Sequence, residues 1–368
     1  MSYGIRWVSN RRWCDSRERR YQRAMSILLA FALVSAAALP LPVHVGGRTV
    51  AESGGVRRFG WPAVYFESRF RGTAVRVRFE AKEDFLRLLV DGREIRLFSR
   101  PGPVDFAVTG LAKGMHTVRL EKLTESQDGA SRFSGFYAMR GSVAMPAPRR
   151  LRQIEFIGDS YTAGYGNMSD TRTCSKAEVH DRTNTQAAFG PIVAKHYGAD
   201  YRVNAYSGIG IVRNYDGSAP GVTMPRLYWH ALPQLDAPVD RPAGDWRPQL
   251  IVVKLGANDF STPLHPGERW PDQPALEKDF AATFVDFMTR VHARQPQAAI
   301  LLMSADTIYP KITLVAATLR QAGIKRVTTL EFSGLDLGGC DYHPSLRDHQ
   351  KLAVLVEQAV DRANLLGR

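Results

Sequence analysis

The stretch QIEFIGDSYTAGYGN, residues 153–167, decides how the second half of the chain is interpreted. A largely apolar run at 154–157 is typical of a buried strand, and it breaks off at Gly158-Asp159-Ser160. One interpretation is a nucleophilic serine on a tight strand-to-helix turn. The other is an ordinary surface turn or helix cap, because Gly, Asp and Ser are residues that turns favour. Motifs elsewhere in the chain are needed to distinguish these two interpretations.

Strand-like and helix-like patterns alternate from residue 151 to residue 368. Apolar runs lie at residues 153–158, 201–205, 249–255, 299–303 and 326–332, and helical patterns lie at 186–197, 276–294, 313–322 and 349–366. This alternation predicts an α/β fold with an open, doubly wound parallel sheet. Such sheets place their functional sites at the carboxyl ends of the strands, near a topological switch point.

The preceding part of the chain, residues 46–145, has a different sequence pattern, which is typical of β-strands. Short alternating or β-branched segments such as AVRVRFEA and HTVRLEKLT are separated by Asp-Gly, Pro-Gly and Lys-Gly turns. The pair Asp91-Gly92 between two such segments is a strong hairpin signal. Evenly spaced short strands predict a β-sandwich of the jelly-roll type. Residues 146–150, PAPRR, then form a predicted linker.

Residues with catalytic chemistry follow the predicted parallel strands. Ser160 ends the first strand, Gly208 follows the second in NAYSGIGI, and Asn258 follows the third in KLGANDF. Near the end of the chain, GGCDYHPS places His343 after the fifth strand. Acyl transfer needs a hydroxyl nucleophile, a base that takes its proton, and donors for a tetrahedral oxyanion. We therefore expect these residues to meet at one edge of the sheet.

These four blocks resemble those of the SGNH (GDSL-type) hydrolases. Over about residues 46–368, the segments FIGDSYTAGYGN, YSGIGIVRNY, LGANDFS and GCDYHPS resemble carbohydrate esterase family 2. The resemblance implies a jelly-roll domain before the hydrolase domain, Ser160 as nucleophile and His343 as general base. It also implies an oxyanion hole made of the main-chain amides of Ser160 and Gly208 and the side chain of Asn258.

The group that orients His343 is less clear from the sequence. The family pattern has an aspartate three residues before the histidine, where this chain has Cys340, and Asp341 lies two residues before. Residues two apart in an extended segment point to the same side, and Pro344 disfavours the α conformation at His343. We therefore expect the Asp341 carboxylate to orient the imidazole. The alternative is a main-chain carbonyl as acceptor, with Asp341 facing solvent.

The N-terminal segment, residues 1–38, has the layout of a cleaved signal. Seven arginines lie within residues 1–24, and an apolar run at 25–39 with small residues at 36–38 follows them. That layout predicts a secreted or periplasmic protein, and the apolar run is short for a membrane span. We expect no stable membrane insertion after cleavage, and an uncleaved anchor is the alternative.

The cysteines fit an exported protein. Cys14 lies in the leader, which leaves Cys174 and Cys340 for the mature chain. A lone pair in an exported protein is a candidate disulfide, and two unrelated buried thiols are the alternative. Because Cys174 lies fourteen positions after Ser160 and Cys340 three before His343, we expect both at the rim of the site and paired.

The distribution of charge argues against nucleic-acid binding, and the spacing of the histidines argues against a metal site. The formal net charge is +13, and the leader's seven arginines against two acidic residues account for +5 of it. The remaining +8 is scattered among acidic residues rather than gathered into a basic stripe, so we expect no nucleic-acid partner. The histidines have no paired ligand spacing, so we expect no metal site and no cofactor.

The resemblance implies removal of acetyl groups from acetylated oligo- or polysaccharides such as xylan, with water as the acyl acceptor. Tyr161, Tyr165, Trp229 and Trp270 follow predicted strand ends and are candidates for stacking on sugar rings. Two alternatives stay open. One is a hydrolase of small esters or thioesters with the same fold, and the other is a catalytically inert carbohydrate-binding protein.

Overall fold

The computed structural model describes residue 1 and residues 39–127, 129–240 and 246–367. The predicted signal and Cys14 lie outside the described residues. From Pro40 to Arg368 the chain forms one unit, and it contains both the predicted β-sandwich and the predicted α/β region.

Two antiparallel sheets build the N-terminal domain. The strands are β1 (Leu39–Pro40), β2 (His44–Gly46), β3 (Val50–Ala51), β4 (Arg57–Phe59), β5 (Tyr65–Gly72), β6 (Val75–Ala81), β7 (Phe85–Val90), β8 (Arg93–Ser99), β9 (Gly102–Val108), β10 (Gly114–Lys122), β11 (Ser131–Ala138) and β12 (Val143–Met145). One sheet has the order β3-β4-β11-β6-β9 and the other β12-β5-β10-β7-β8, with β2 beside β5. Phe66 of β5 stacks on Phe133 of β11 with ring centroids 4.0 Å apart. The sheets thus pack face to face, which confirms the predicted sandwich.

Local sequence explains several of these strands. In β6 buried and half-buried residues alternate along the whole strand, as expected when one face of a strand meets the core. Asp91 and Gly92 join β7 to β8 with φ values of 52° and 78°. Positive φ at both central residues is the requirement of a tight type I′ hairpin, so the predicted turn is confirmed.

Strand β5 was not predicted from the sequence. Its first four residues, which include Glu67 and Ser68, are all buried, so they show no alternation of apolar and polar residues. Both faces of this stretch are covered. Tyr65 packs on Tyr201 of the second domain, with ring centroids 4.9 Å apart, while Phe66 lies in the sandwich core. A strand covered on both faces loses the alternating pattern that identifies strands in a sequence.

A five-stranded parallel sheet forms the second domain. Its strands are β13 (Gln153–Gly158), β14 (Asp200–Ala205), β15 (Leu250–Lys254), β16 (Ala299–Ala305) and β17 (Val327–Phe332), in the order β14-β13-β15-β16-β17. The predicted strand positions are confirmed to within two residues. Strand β13 has β14 on one side and β15 on the other, so the direction of winding changes next to β13. That change creates the topological switch point at the carboxyl end of β13.

Helices cover this sheet. They are α1 (Ser160–Ala163), α2 (Lys176–Asp181), α3 (Phe189–His196), α4 (Met224–Leu227), α5 (Gln273–Arg294), α6 (Tyr309–Gln321) and α7 (Leu346–Ala363). The predicted helices are present, and several begin earlier than their apolar pattern. Helix α5 starts at Gln273 because the Asp272 side chain caps it, accepting a hydrogen bond from the Ala275 amide. Such a cap satisfies a donor that the first turn leaves open.

The two domains share a buried ionic contact. The Arg48 guanidinium, from the segment after β2, lies 3.0 Å from Oε1 of Glu155 and 3.3 Å from Oδ2 of Asp240. Arg48 and Glu155 are 2% and 1% exposed, and Glu155 lies on the central strand β13. Since a buried charge needs a partner, this contact ties the orientation of the sandwich to the middle of the parallel sheet.

Candidate active site

The predicted nucleophile lies on a sharp turn between β13 and α1. Ser160 is the first residue of α1, and the Asp159 side chain caps the helix by accepting a hydrogen bond from the Tyr161 amide at 3.1 Å. A Cβ on Gly158 would lie 2.0 Å from Oγ1 of Thr162, so only glycine allows the chain to turn this tightly. The Ser160 side chain is thereby fixed at the carboxyl end of the central strand.

Asp159 has a second partner that the sequence did not suggest. Both of its carboxylate oxygens accept hydrogen bonds from Nζ of Lys254, at 3.1 and 2.9 Å. Asp159 and Lys254 are 1% and 4% exposed, and Lys254 is the last residue of the neighbouring strand β15. The only sequence signal is a lysine that ends an otherwise apolar buried run. This ion pair holds the nucleophile turn against β15.

His343 meets the serine from the other side. Its Nε2 lies 2.9 Å from Oγ of Ser160, although the two residues are 183 positions apart. His343 has φ −93° and ψ 164°, which is the extended conformation that Pro344 predicts. Burial lowers the pKa of His343, and a lowered pKa favours the neutral imidazole that a general base requires.

The expected contact between Asp341 and His343 is absent, and this part of the sequence interpretation is wrong. Nδ1 of His343 lies 3.0 Å from the main-chain oxygen of Cys340 and 3.0 Å from that of Asp341. Asp341 has φ 51° and ψ 40°, so the segment is not extended there and the two side chains do not share a side. The Asp341 carboxylate instead accepts a hydrogen bond from the Tyr165 hydroxyl at 2.9 Å.

A disulfide fixes the backbone that carries these carbonyls. Cys340 is bonded to Cys174, with Cα atoms 5.5 Å apart, and this is the pairing that the sequence predicts. The Gly339 amide donates to the His343 carbonyl at 2.9 Å, which closes the loop around the histidine. A Cβ on Gly166, in the loop after the nucleophile helix, would lie 2.4 Å from Cβ of Cys340. The loop after α1 and the loop that carries His343 are therefore in direct contact.

The two other predicted oxyanion donors lie on the loops after β14 and β15. Strand β13 pairs with both of these strands, so that Gly158 lies beside Ala205 and Lys254, and the three loops leave the same edge of the sheet. Nδ2 of Asn258 donates to the carbonyl of Ile209, the residue after Gly208, at 2.7 Å. An amide nitrogen carries two hydrogens, so one remains for a substrate.

Asp259 has a structural role next to Asn258. Its carboxylate accepts hydrogen bonds from the amides of Ile211, Val212 and Arg213 at 2.8–3.1 Å. Burial raises the pKa of Asp259 to about 6 although these amides favour the charged form. The contacts bind the loop that follows Gly208 to the segment that carries Asn258.

Two tyrosines pack against the imidazole of His343. The Tyr165 ring lies 4.2 Å from the His343 ring, centroid to centroid and tilted by 32°. The Tyr161 ring lies 5.6 Å from the His343 ring in an edge-to-face arrangement, and Nζ of Lys254 lies 3.8 Å from the Tyr161 ring centroid. Of the four predicted aromatic positions, Tyr161 and Tyr165 therefore contact His343 at the candidate site.

The two tryptophans have protein partners. Trp229 packs edge to face on Phe287, with centroids 6.5 Å apart. Nε1 of Trp270 donates to Asp279 at 2.9 Å, and the Arg269 guanidinium lies 4.9 Å from its ring centroid. Trp229 therefore packs against α5. Trp270 lines a separate cavity of about 630 Å³.

A cavity of about 670 Å³ lies between the two domains, and one of its lining residues is Tyr165, whose ring packs against His343. Its lining includes Tyr165 and Ser207 from the hydrolase domain and Glu80, Asp84 and Arg132 from the sandwich. Within the described residues, no cluster of three or more His, Cys, Asp or Glu side chains suited to a metal ion is found. No helix in the same part of the chain is long and apolar enough to cross a membrane.

Comparisons with known proteins agree with this geometry. Residues 45–148 match the family model described as Carbohydrate esterase 2 N-terminal, and residues 156–362 match the GDSL-like Lipase/Acylhydrolase family. The chain is 43% identical over 339 residues to an acetylxylan esterase / glucomannan deacetylase of Cellvibrio japonicus, covering 90% of this chain and 94% of that protein. It is 30% identical over 308 residues to the cellulase/esterase CelE of Acetivibrio thermocellus, covering 80% of this chain and 36% of that protein.

Solved structures give the same result. A carbohydrate esterase described as having divergent catalytic and non-catalytic binding functions matches with a TM-score of 0.83 and 42% identity, over 88% of this chain and 98% of that one. A family two carbohydrate esterase from Clostridium thermocellum in complex with cellohexaose matches with a TM-score of 0.77 and 28% identity, over 88% and 100%. Sequence, fold and site together assign this enzyme to carbohydrate esterase family 2, an ester hydrolase family of the GDSL type.

Proposed function

We propose that this enzyme is an exported carbohydrate O-acetyl esterase that removes acetyl groups from acetylated glycans such as xylan. The observation that carries the proposal is the 2.9 Å contact between Oγ of Ser160 and Nε2 of His343. A serine hydroxyl paired with an imidazole base is the arrangement of covalent acyl transfer. The names of the relatives, acetylxylan esterase and glucomannan deacetylase, support an acetylated glycan as the source of the acyl group.

In the first half of the reaction, Oγ of Ser160 bonds to the acetyl carbon while Nε2 of His343 takes the serine proton. The negative charge that forms on the carbonyl oxygen is stabilised by the Ser160 and Gly208 amides and by Nδ2 of Asn258. When the tetrahedral intermediate collapses, the bond to the sugar oxygen breaks, and that oxygen takes the proton from His343. The products are a deacetylated hydroxyl and acetyl-Ser160.

In the second half, water replaces the sugar. His343 takes a proton from the water as its oxygen bonds to the acetyl carbon, and the same three donors stabilise the second oxyanion. Collapse releases acetic acid while His343 returns its proton to Oγ of Ser160, and the acid then gives the second water proton to solvent to become acetate. Throughout the cycle, Nδ1–H of His343 donates to the carbonyls of Cys340 and Asp341, each at 3.0 Å. These two acceptors take the orienting role that a carboxylate has in a serine triad.

Two neighbouring groups stabilise the positive charge of His343 once it is protonated. The Asp159 carboxylate raises the pKa of His343, which opposes the larger effect of burial. The face of the Tyr165 ring, 4.2 Å from the imidazole centroid, attracts a cation through its π electrons. The base is thus neutral before the attack and is still stabilised once it is protonated.

The disulfide supports export, because structural disulfides persist in oxidising compartments such as the periplasm and the extracellular space. The bond between Cys174 and Cys340 joins the loops that carry the catalytic pair. Together with the basic and apolar layout of residues 1–38, it favours a secreted or periplasmic protein.

The proposal is tested by measuring acetate release from acetylated xylan, acetylated glucomannan and an aryl acetate, with the wild type and Ser160→Ala. We expect Ser160-dependent release from at least one glycan at a higher kcat/KM than from the aryl acetate. In Ser160→Ala only the attacking oxygen is lost, so the fold should persist while activity falls by several orders of magnitude.

Other outcomes contradict the proposal. Turnover of the aryl acetate alone would indicate a hydrolase of small esters. Glycan binding without any acetate release would indicate an inert carbohydrate-binding protein. Activity of Ser160→Ala within about tenfold of wild type would exclude Ser160 as nucleophile, because loss of a triad serine costs about 10⁶-fold in subtilisin.

A further inference from the structure

Two side chains of the β-sandwich domain reach the oxyanion loop of the hydrolase domain. Oε1 of Glu125 accepts a hydrogen bond from the Ser207 amide at 2.7 Å, and Oε2 accepts one from the Ser207 hydroxyl. Nε2 of Gln127 donates to the Ser207 carbonyl at 3.1 Å and to Oε1 of Glu125 at 3.3 Å. Both residues lie on the connection between β10 and β11, so a different domain contacts every polar group of Ser207.

Ser207 and Gly208 are the central residues of a tight turn. The Ile209 amide donates to the Tyr206 carbonyl at 3.3 Å, and Gly208 has φ 79°. This hydrogen bond and a positive φ at the third position are the features of a type II β-turn. In a type I turn, which leaves the ends of the turn in place, the central peptide is rotated to the opposite orientation.

The central peptide is the one that matters for catalysis, since it carries both the Ser207 carbonyl and the Gly208 N–H. A trans peptide is planar, so its carbonyl and its N–H point in opposite directions. A donor that holds the Ser207 oxygen on one side therefore directs the Gly208 hydrogen to the other side. Gln127 is that donor.

The hydrolase domain holds the neighbouring carbonyls itself. The Tyr215 amide donates to the Gly208 carbonyl at 2.9 Å, and Nδ2 of Asn258 donates to the Ile209 carbonyl at 2.7 Å. The contacts to Ser207 come from Glu125 and Gln127 of the sandwich. The orientation of the oxyanion peptide is thus divided between the two domains.

We propose that Glu125 and Gln127 are positioning residues for the oxyanion hole, and that they keep the Gly208 N–H directed at the substrate carbonyl oxygen. The sandwich domain is then part of the acyl-transfer machinery as well as a cover for the hydrolase domain. This inference rests on the proposed function, because it assigns a role to the same site.

The position of Gln127 is itself supported by the hydrolase domain. Nε2 of Gln234 donates to the Gln127 carbonyl at 2.6 Å. Each domain therefore donates a hydrogen bond to the other: Gln127 donates to the Ser207 carbonyl, and Gln234 donates to the Gln127 carbonyl. Because the backbone of Gln127 is already held in place, its side chain loses less conformational freedom when it bonds to Ser207. Gln127 is therefore well suited to fix the plane of the Ser207–Gly208 peptide.

The test measures aryl acetate hydrolysis and inhibition by an alkylboronic acid in Gln127→Met, which keeps the length of the side chain and removes the donor. A boronic acid accepts an electron pair from Ser160 and mimics the tetrahedral intermediate, so its affinity follows stabilisation of the transition state. We expect kcat to fall about tenfold, less than the roughly 10²–10³-fold loss when a donor is deleted. KM should stay within about twofold, and boronic acid affinity should fall by the same factor as kcat/KM.

Gln186→Met is the matched control, because Nε2 of Gln186 donates across the same domain interface to the Ala63 carbonyl at 3.1 Å without touching the turn. It should lower the thermal midpoint and leave kcat and boronic acid affinity unchanged.

Glu125→Gln keeps an acceptor for the Ser207 amide and should retain more activity than Glu125→Ala. Glu121→Gln, at a buried sandwich carboxylate 3.9 Å from Nζ of Lys195, controls for loss of an interface charge.

The inference is overturned if folded Gln127→Met keeps wild-type kcat and boronic acid affinity, or if Gln186→Met loses as much of both. These results would leave Ser160-dependent turnover of the wild type intact, so the proposed function would stand. Absence of any Ser160-dependent turnover in the wild type would instead overturn the proposed function, and the positioning role with it.

Discussion

Tyr165 and Asp341 are paired through a 2.9 Å hydrogen bond from the phenol to the carboxylate, and this pair explains why the acid two residues before His343 does not orient its imidazole. The left-handed backbone at Asp341, with φ 51°, directs the side chain towards Tyr165. The same turn brings the carbonyls of Cys340 and Asp341 to Nδ1 of His343. The imidazole is thus oriented by main-chain atoms.

Asp341→Asn tests this arrangement, because it keeps the shape of the side chain and removes the charge. Turnover should stay within about fivefold of wild type, whereas removal of an orienting carboxylate from a serine triad costs about 10⁴-fold. Steady-state kinetics on an aryl acetate would measure it. Tyr165→Phe is the control, since it removes the other partner of the same hydrogen bond. A loss of a hundredfold or more in Asp341→Asn alone would return the aspartate to a direct catalytic role.

Asn258→Ala should lower kcat by roughly 10²–10³ with little change in KM, which is the usual effect of deleting one oxyanion donor. Its Nδ2 also donates to the Ile209 carbonyl at 2.7 Å, so a thermal midpoint should be measured alongside the kinetics. Asn214→Ala removes another buried amide of the same loop region, one that donates to the Val222 carbonyl at 2.8 Å. If the main effect of Asn258→Ala were a raised KM, Asn258 would bind the ground state instead.

The pH dependence of kcat/KM should report the lowered pKa of His343, whose main cause is burial. The imidazole acts as a base only when neutral, so activity rises with pH as His343 loses its proton. Because the pKa is lowered, the midpoint of this acid limb should lie below about 6.5, the ordinary value for histidine. His196→Gln, at an exposed histidine of α3, should leave the profile unchanged. A midpoint above the ordinary value would contradict a buried, neutral base.

Loss of the disulfide should affect both stability and catalysis. The double variant Cys174→Ser with Cys340→Ser should lose about 2–4 kcal/mol of unfolding free energy, the usual range for a native disulfide. Turnover should fall as well, because the Cys340 carbonyl accepts from His343 at 3.0 Å. Urea unfolding and aryl acetate kinetics would measure the two effects. Two free thiols in the folded, exported protein, found by mass analysis without reductant, would refute the pairing.

Arg48→Met should destabilise the protein by about 3–5 kcal/mol, because removing one partner leaves a buried charge without compensation. Glu155 would keep Nδ2 of Asn204, at 2.6 Å, but would lose the guanidinium at 3.0 Å. Arg71→Met, at an exposed arginine of β5, should change the unfolding free energy by less than about 0.5 kcal/mol. Equal effects of the two substitutions in urea unfolding would show that the buried contact contributes no more than an exposed side chain.

The amino-acid sequence determined the features that depend on local periodicity and turn chemistry. The positions of the five parallel strands follow from apolar runs, and the β7–β8 hairpin follows from Asp91-Gly92. The expectation that Ser160 and His343 meet follows from the rule that parallel strands present their carboxyl ends at one edge, whereas their proposed roles follow from the family resemblance. That rule brings Ser160 and His343 together without any knowledge of side-chain geometry.

Only the tertiary structure decided which atoms surround the catalytic pair. The acceptor for Nδ1 of His343 depends on φ and ψ at Asp341, and a disulfide to a cysteine 166 positions away holds that loop. Lys254 beneath Asp159, and Glu125 and Gln127 on the oxyanion turn, come from strands and loops far apart in the chain. A local pattern carries no information about such partners, because their contacts form only once the distant segments have packed together. For Glu125 and Gln127 this also requires that the two domains pack against each other.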